Sequence, residues 1–258
     1  MTTDGPDNDL PTVAAIAVIA MCLVTFNHEA LGHGGACLAL GGHIRVLTSS
    51  IFRCDMRSVW IAPAGPFGNL LGGVLALLFV RVVPRRRTNG RLFLVLVAGF
   101  AFFWEAGYLV TAMCGRDGDL YFAAQDLLGE PALWWRLAGA AAGIALYLVS
   151  IRWASRVLTD LWPDAVIARH VARIAWVAAS LGAVFAATAD SGAGWSGLRD
   201  AALEIGAAAF PWLLIPRQGR AHLAPAAPLR IERNYAIMAT SLIMFAVFVA
   251  TLGRGLRF

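Results

Sequence analysis

The stretch Asn27-His28-Glu29-Ala30-Leu31-Gly32-His33 places two imidazoles around a carboxylate. That is the set a zinc hydrolase needs: two neutral nitrogen ligands and, beside the first, an acid able to take a proton from water polarised by the ion. The spacing poses a geometric problem. Histidines sharing a metal on a regular helix stand at i and i+4, whereas His28 and His33 are five apart, roughly 140° around an α-helix. Both rings can face one ion only if the helix widens into a π-bulge or ends between them. Gly32, Gly34 and Gly35 make either distortion cheap.

Two other polar stretches fall where a helical bundle would bring them to the same end. Ala64-Gly65-Pro66-Phe67-Gly68-Asn69 stands at the entrance to the second apolar run and also reads as a Gly-Pro turn capped by Asn at a helix start. Cys114-Gly115-Arg116-Asp117-Gly118-Asp119 follows the third run, where acids are ordinarily solvated. A helix going out, one returning and one going out again gather residues near 28 to 33, 65 to 69 and 117 to 119. Three weak signals then become one site. Glu105 lies inside the third run, ~21 Å from Asp119 along a continuous helix, too far to share one ion; it fits a hydrogen-bonded structural partner between helices. His43, His170 and His222 read as surface residues.

Composition sets the elements that must hold these groups. Of 258 residues, 59% are hydrophobic and 14% charged, with a mean hydropathy of +0.68, whereas an ordinary soluble domain has roughly 45–50% apolar and about 25% charged residues. Soluble enzyme folds are excluded. Apolar runs from Leu10 to Leu40, Val59 to Val83, Leu92 to Cys114, Leu133 to Trp153, Ile174 to Thr188, Ala201 to Ile215 and Tyr235 to Leu252 predict an all-α polytopic membrane protein of six to seven transmembrane helices. The sixth run is the weakest, with Glu204 and Pro211 inside it and about 15 apolar positions against the ~20 a span wants. The first run as one straight helix would be about 45 Å long against a ~30 Å hydrocarbon core, so a break or strong tilt is expected. Residues 44–60 mix β-branched, aromatic and polar types without helical periodicity and predict a small surface β-hairpin. The chain then divides into a tail (1–10), a three-helix core carrying the hairpin (11–122) and further helices of unassigned role (123–258).

The four cysteines form no CxxC pair, which excludes a zinc ribbon or thioredoxin-like motif and leaves them as small apolar side chains. All 21 basic residues are Arg, the mark of a GC-rich bacterial coding sequence. The net charge of +5 is no nucleic-acid footprint, because the arginines fall at the ends of apolar runs. Three Asp and no basic residue precede the first run, the wrong charge for a secretory signal peptide. By the positive-inside rule the loops with Arg81, Arg85, Arg86, Arg87 and Arg91, and with Arg217, Arg220, Arg230 and Arg233, face the cytoplasm. The N-terminus is then inside a bacterial inner membrane, and the histidine cluster faces outward.

The run HEALGHGGACLALGGHIRV resembles the site-2 protease family of intramembrane zinc metalloproteases, whose pattern is HExxH, a small-residue stretch and a Gly-Gly turn into a surface strand. AGPFGN is similar to that family's GPxxN motif, and the Gly-Asp of RDGDL to its third motif, a helix-end Asp. The similarity covers residues 20 to about 122 in the same order. This chain has HExxxH where the family has HExxH, a spacing that resembles the HELLGH motif of soluble dipeptidyl peptidases. The resemblance implies zinc held by His28, His33 and Asp119, Asp117 being the alternative third ligand, with Glu29 as general base. It implies that Asn69, with Gly65 and Pro66, holds the substrate or its oxyanion and that the hairpin pairs an unwound substrate strand. The implied reaction is hydrolysis of peptide bonds in membrane-embedded substrate helices. The family's site generally opens toward the cytosol, which conflicts with the arginine distribution. The alternatives are a catalytically inactive metal- or client-binding membrane scaffold of the same fold, and a transporter, for which no inverted repeat is visible.

Overall fold

A computed structural model of the chain describes residues 8–190, 192, 194–215 and 229–258. The Asp9 carboxylate accepts from Thr12 N at 3.1 Å and Thr12 Oγ1 at 2.7 Å, capping α1 (Leu10–Phe26), which carries Pro11 in its first turn. Without a break α1 passes into a π-helical stretch, π1 (Asn27–Gly34), and then α2 (Gly35–Ala39). Of the two distortions the histidine spacing permits, the chain uses the widened helix.

Gly41, at φ +84°, turns the chain into β1 (Ile44–Leu47), which pairs antiparallel with β2 (Phe52–Cys54). A third strand, β3 (Leu256–Arg257), closes the other edge of β1, an element not anticipated from the sequence. Four long helices follow the hairpin: α3 (Ile61–Val82), α4 (Thr88–Gly115), α6 (Leu133–Leu161) and α7 (Ala165–Ala187), with the short α5 (Asp119–Leu128) between α4 and α6. The chain ends through α9 (Tyr235–Phe248) and a π turn (Val249–Gly253).

Among the described residues, six helices are long and apolar enough to cross a membrane: Leu10–Ala39, α3, α4, α6, α7 and Tyr235–Gly253. They match six of the seven expected runs. The sixth run is instead broken into π2 (Ala202–Ala207) and a 3-10 turn (Phe210–Leu214), with the short α8 (Gly194–Ala201) before it. Packing explains why it stays inside: a Cβ on Gly99 of α4 would collide with the indole of Trp212, which also meets Phe100 and Phe103 at ring separations of 5.9 and 5.4 Å. α4 is the central rod, with 67% of its apolar window buried against 17% for α6.

The bundle has two distinct ends. At one, Asp9 N donates to Ile231 O at 2.8 Å and Arg233 pairs with Asp9 at 3.0 Å, while Arg85 donates to Asp160 O. At the other lie the hairpin, α5 and β3, the last held by Arg257 on Asp190 at 2.9 Å. Arg217, Arg220 and His222 lie outside the described residues. Cys37 and Cys54 form a disulfide with Cα atoms 6.1 Å apart, which corrects the expectation of four small apolar cysteines. It ties α2 to β2 and leaves Cys22 buried and Cys114 exposed.

Two glycines set the closest helix approach. A Cβ on Gly32 of π1 would lie 2.6 Å from Gly65 Cα and 2.7 Å from Ala64 O, so π1 and α3 meet backbone to backbone. Gly35, three residues on, has open space. Gly32→Ala is therefore expected to cost about 1–3 kcal/mol through overpacking and to lower the thermal unfolding midpoint in detergent, with Gly35→Ala unchanged as control.

Candidate metal centre

π1 carries the two histidines. In its i→i+5 geometry a residue five positions on returns above the first, and the rings of His28 and His33 stand with centroids 4.9 Å apart. Asp119 reaches them from α5. Its Oδ2 lies 3.2 Å from His33 Nε2 and 3.6 Å from His28 Nε2. One donor atom from each of the three residues lies within 4.8 Å of the other two. Asp119 arrives there because α4 stops at Arg116, in the left-handed region, and Gly118, at φ +96°, turns the chain back onto Tyr108. A side chain at 118 would strike the Tyr108 hydroxyl, which donates to Asp119 Oδ2 at 3.1 Å and accepts from Asp119 N at 3.0 Å. Burial works against ionisation of Asp119. The imidazoles of His28 and His33 facing it outweigh that and hold the carboxyl below the ordinary carboxylate range.

Each imidazole is oriented from behind. Glu105 Oε1 accepts from His28 Nδ1 at 3.0 Å, and the carbonyl of Ile61 accepts from His33 Nδ1 at 2.8 Å. Protons held on Nδ1 leave both Nε2 lone pairs free for an ion. Trp104 stacks on His28 at 4.5 Å and Phe52 of β2 on His33 at 5.5 Å. The Ile61 carbonyl belongs to the first turn of α3.

The space in front of the rings fits an ion. A Cβ built on Gly65 would lie 2.7 Å from His28 Nε2 and collide with His33 Nε2. A methyl group at residue 65 would thus fill the point at which both nitrogens aim. Two imidazoles and a carboxylate suit a divalent cation. Glu29, only 3% exposed, lines the same cavity, and its Oε2 has no hydrogen-bond partner among the described residues. The cavity measures about 540 Å³, and Ser50, Phe52 and Met56 of the hairpin region, Tyr108 and Phe122 add to its wall.

His28, His33, Glu29 and Asp119 come together as their motifs suggest; Asp117 is exposed, accepts from Gly118 N at 2.9 Å and stands outside the cluster. AGPFGN lies within the first turns of α3, not in a turn before it. Asn69 is fully buried behind His28, donating to Glu105 Oε1 at 2.9 Å and accepting from Asn27 at 3.3 Å, and is not among the cavity-lining residues. It therefore buttresses the Glu105–His28 pair and is not placed to hold a substrate or oxyanion. Gly65 and Pro66 are buried too; Gly65 makes room for an ion and Pro66 is part of the α3 turn. The reversal at Gly118 lets Glu105 and Asp119 approach opposite nitrogens of His28, which a continuous helix could not do. Asn27 and Tyr108 had no assigned role in the sequence; the Glu105/Tyr108 spacing on α4 was the one available hint. His43 is exposed and paired with Asp55 at 3.2 Å, and His170 is exposed. No protein-family model, curated protein or solved structure matches the chain.

Glu105→Gln keeps the shape but removes the charge behind His28. It is expected to weaken metal binding about 10–100-fold in competition titrations against a chelator dye, while Asp117→Asn leaves binding as in wild type.

Proposed function

We propose that the protein is an integral membrane zinc metalloprotease that cleaves peptide bonds of membrane-embedded substrate helices, in the manner of the site-2 protease family its motifs resemble. The observation that carries this reading is the unpartnered Glu29 oxygen, buried in the cavity next to His28, His33 and Asp119. A purely structural metal site or a client-binding scaffold has no use for a free carboxylate oxygen there. It costs stability unless a water or substrate group meets it.

Zinc, when bound, would act as a Lewis acid on the scissile carbonyl and bring the pKa of a water toward neutrality. Glu29 takes the proton of the attacking water and delivers it to the departing amine nitrogen. Glu105 and the Ile61 carbonyl hold the imidazoles in one tautomer throughout. Asn69 supports that geometry from behind and touches no substrate. β2 is one of the two edge strands of the sheet, and Phe52 and Cys54 on it line the cavity, so an unwound substrate segment has a strand to pair with beside the reacting groups. Unwinding is required because a substrate helix satisfies its own carbonyls, and small residues or Pro in it ease the step.

The cavity is proposed to open on the extracytoplasmic side of a bacterial inner membrane. The Cys37–Cys54 disulfide lies at the cavity end, and such bonds persist in oxidising compartments; the loop carrying Arg85, Arg86 and Arg87 lies at the opposite end, where the positive-inside rule places the cytoplasm.

In proteoliposomes with a single-span reporter, Glu29→Gln is expected to lose about 10²–10⁴-fold in cleavage rate with metal content unchanged; equal cleavage by wild type and variant would exclude the enzyme. In intact spheroplasts an impermeant maleimide is expected to label Cys114, exposed at the cavity end, and to spare an Arg87→Cys variant made without Cys114. The reverse pattern would invert the orientation.

A further inference from the structure

Glu204 comes from π2, in the broken segment outside the three-helix core, yet it lines the same cavity as His28, Glu29 and His33. It is half-buried and forms no hydrogen bond or ion pair among the described residues. The charges acting on it are mostly of its own sign: Glu29, Asp200 and Asp119, against His28. Five formally charged side chains line the cavity, four acids (Glu29, Asp119, Asp126, Glu204) and Arg57. Arg57, the one cationic side chain among them, is exposed and forms no ion pair with Glu204 among the described residues. Burying an acid beside like charges is costly until a cation joins it. The same cavity holds the buried, unpartnered oxygen of Glu29.

We propose that Glu204 is the specificity residue of this cavity, the anchor for a positively charged group of the substrate, an ammonium carried close to the bond held at the His28/His33/Asp119 cluster. This assignment rests on the proteolytic reading and names its substrate class. The ammonium is either the free amino terminus of a peptide or a lysine side chain. Both present the same chemistry to the carboxylate, and an apolar or acidic residue at that position forgoes the ion pair and leaves Glu204 uncompensated.

The test uses the full chain in nanodiscs, loaded with zinc and carrying Glu29→Gln so that nothing is turned over. Four fluorescent peptides of one sequence combine a free or acetylated amino terminus with a central lysine or norleucine, and binding is read by anisotropy. At least one ammonium is expected to improve affinity tenfold or more over the doubly neutral peptide. Adding Glu204→Gln is expected to abolish that preference with neutral-peptide affinity and zinc stoichiometry unchanged, whereas Glu204→Asp, which retains the charge, keeps a preference. The ammonium that carries the effect distinguishes an amino-terminal anchor from a side-chain one. A preference that survives Glu204→Gln, or equal binding of all four peptides, overturns the assignment and leaves the protease reading standing. Failure of every peptide to bind the zinc-loaded protein overturns both.

Discussion

Two imidazoles five residues apart on one helix have to aim their Nε2 atoms at a single point, and the helix does so by widening over Asn27–Gly34. Much else follows from that turn. Gly32 brings the widened stretch into backbone contact with Ala64 and Gly65, and the absence of a side chain at 65 keeps free the volume in front of both rings. α3 must therefore start where it does, with the Ile61 carbonyl under His33 Nδ1. α4 must present Trp104, Glu105 and Tyr108 on one side of His28, and the chain must reverse at Gly118 to bring Asp119 to the front.

The polar groups are linked in a chain through an otherwise apolar interior. Asn27 donates to Asn69, Asn69 donates to Glu105, and Glu105 accepts from His28. Glu105 Oε1 takes both donors while its Oε2 has no hydrogen-bond partner among the described residues, and the chain of bonds fixes the His28 imidazole for its outward task. The hairpin closes the site from the remaining side. Phe52 covers His33, and the Cys37–Cys54 bond keeps β2 from lifting away from the rod that bears the histidines.

The sequence disclosed the helical runs, the hairpin and the three motifs, because each depends on local pattern: apolar length, β-branched alternation, and donor types at close spacing. The choice between a π-bulge and a helix end lay beyond it, since that depends on the glycine contact between π1 and α3. The disulfide was hidden because no spacing links Cys37 to Cys54; only the fold brings them within reach. Asn69 was placed at the right end of the right helix, but on the far side of His28, a matter of helix rotation that the motif does not encode. Distance along a straight helix kept Glu105 away from Asp119, and the left-handed residue at Arg116 removed that premise. Glu204 counted in the sequence only as a flaw in a hydrophobic run; its position becomes meaningful once Trp212 fixes the broken segment against α4.

The central claim is that His28, His33 and Asp119 jointly hold one divalent ion. Elemental analysis combined with X-ray absorption on the purified full-length chain addresses it directly. Expected are one zinc per chain and two imidazole nitrogens at about 2.0–2.1 Å with the remaining ligands oxygen, and loss of the ion in both His28→Ala and His33→Ala. A chain that binds no stoichiometric metal, or a bound ion whose spectrum lacks imidazole ligands, would contradict the claim.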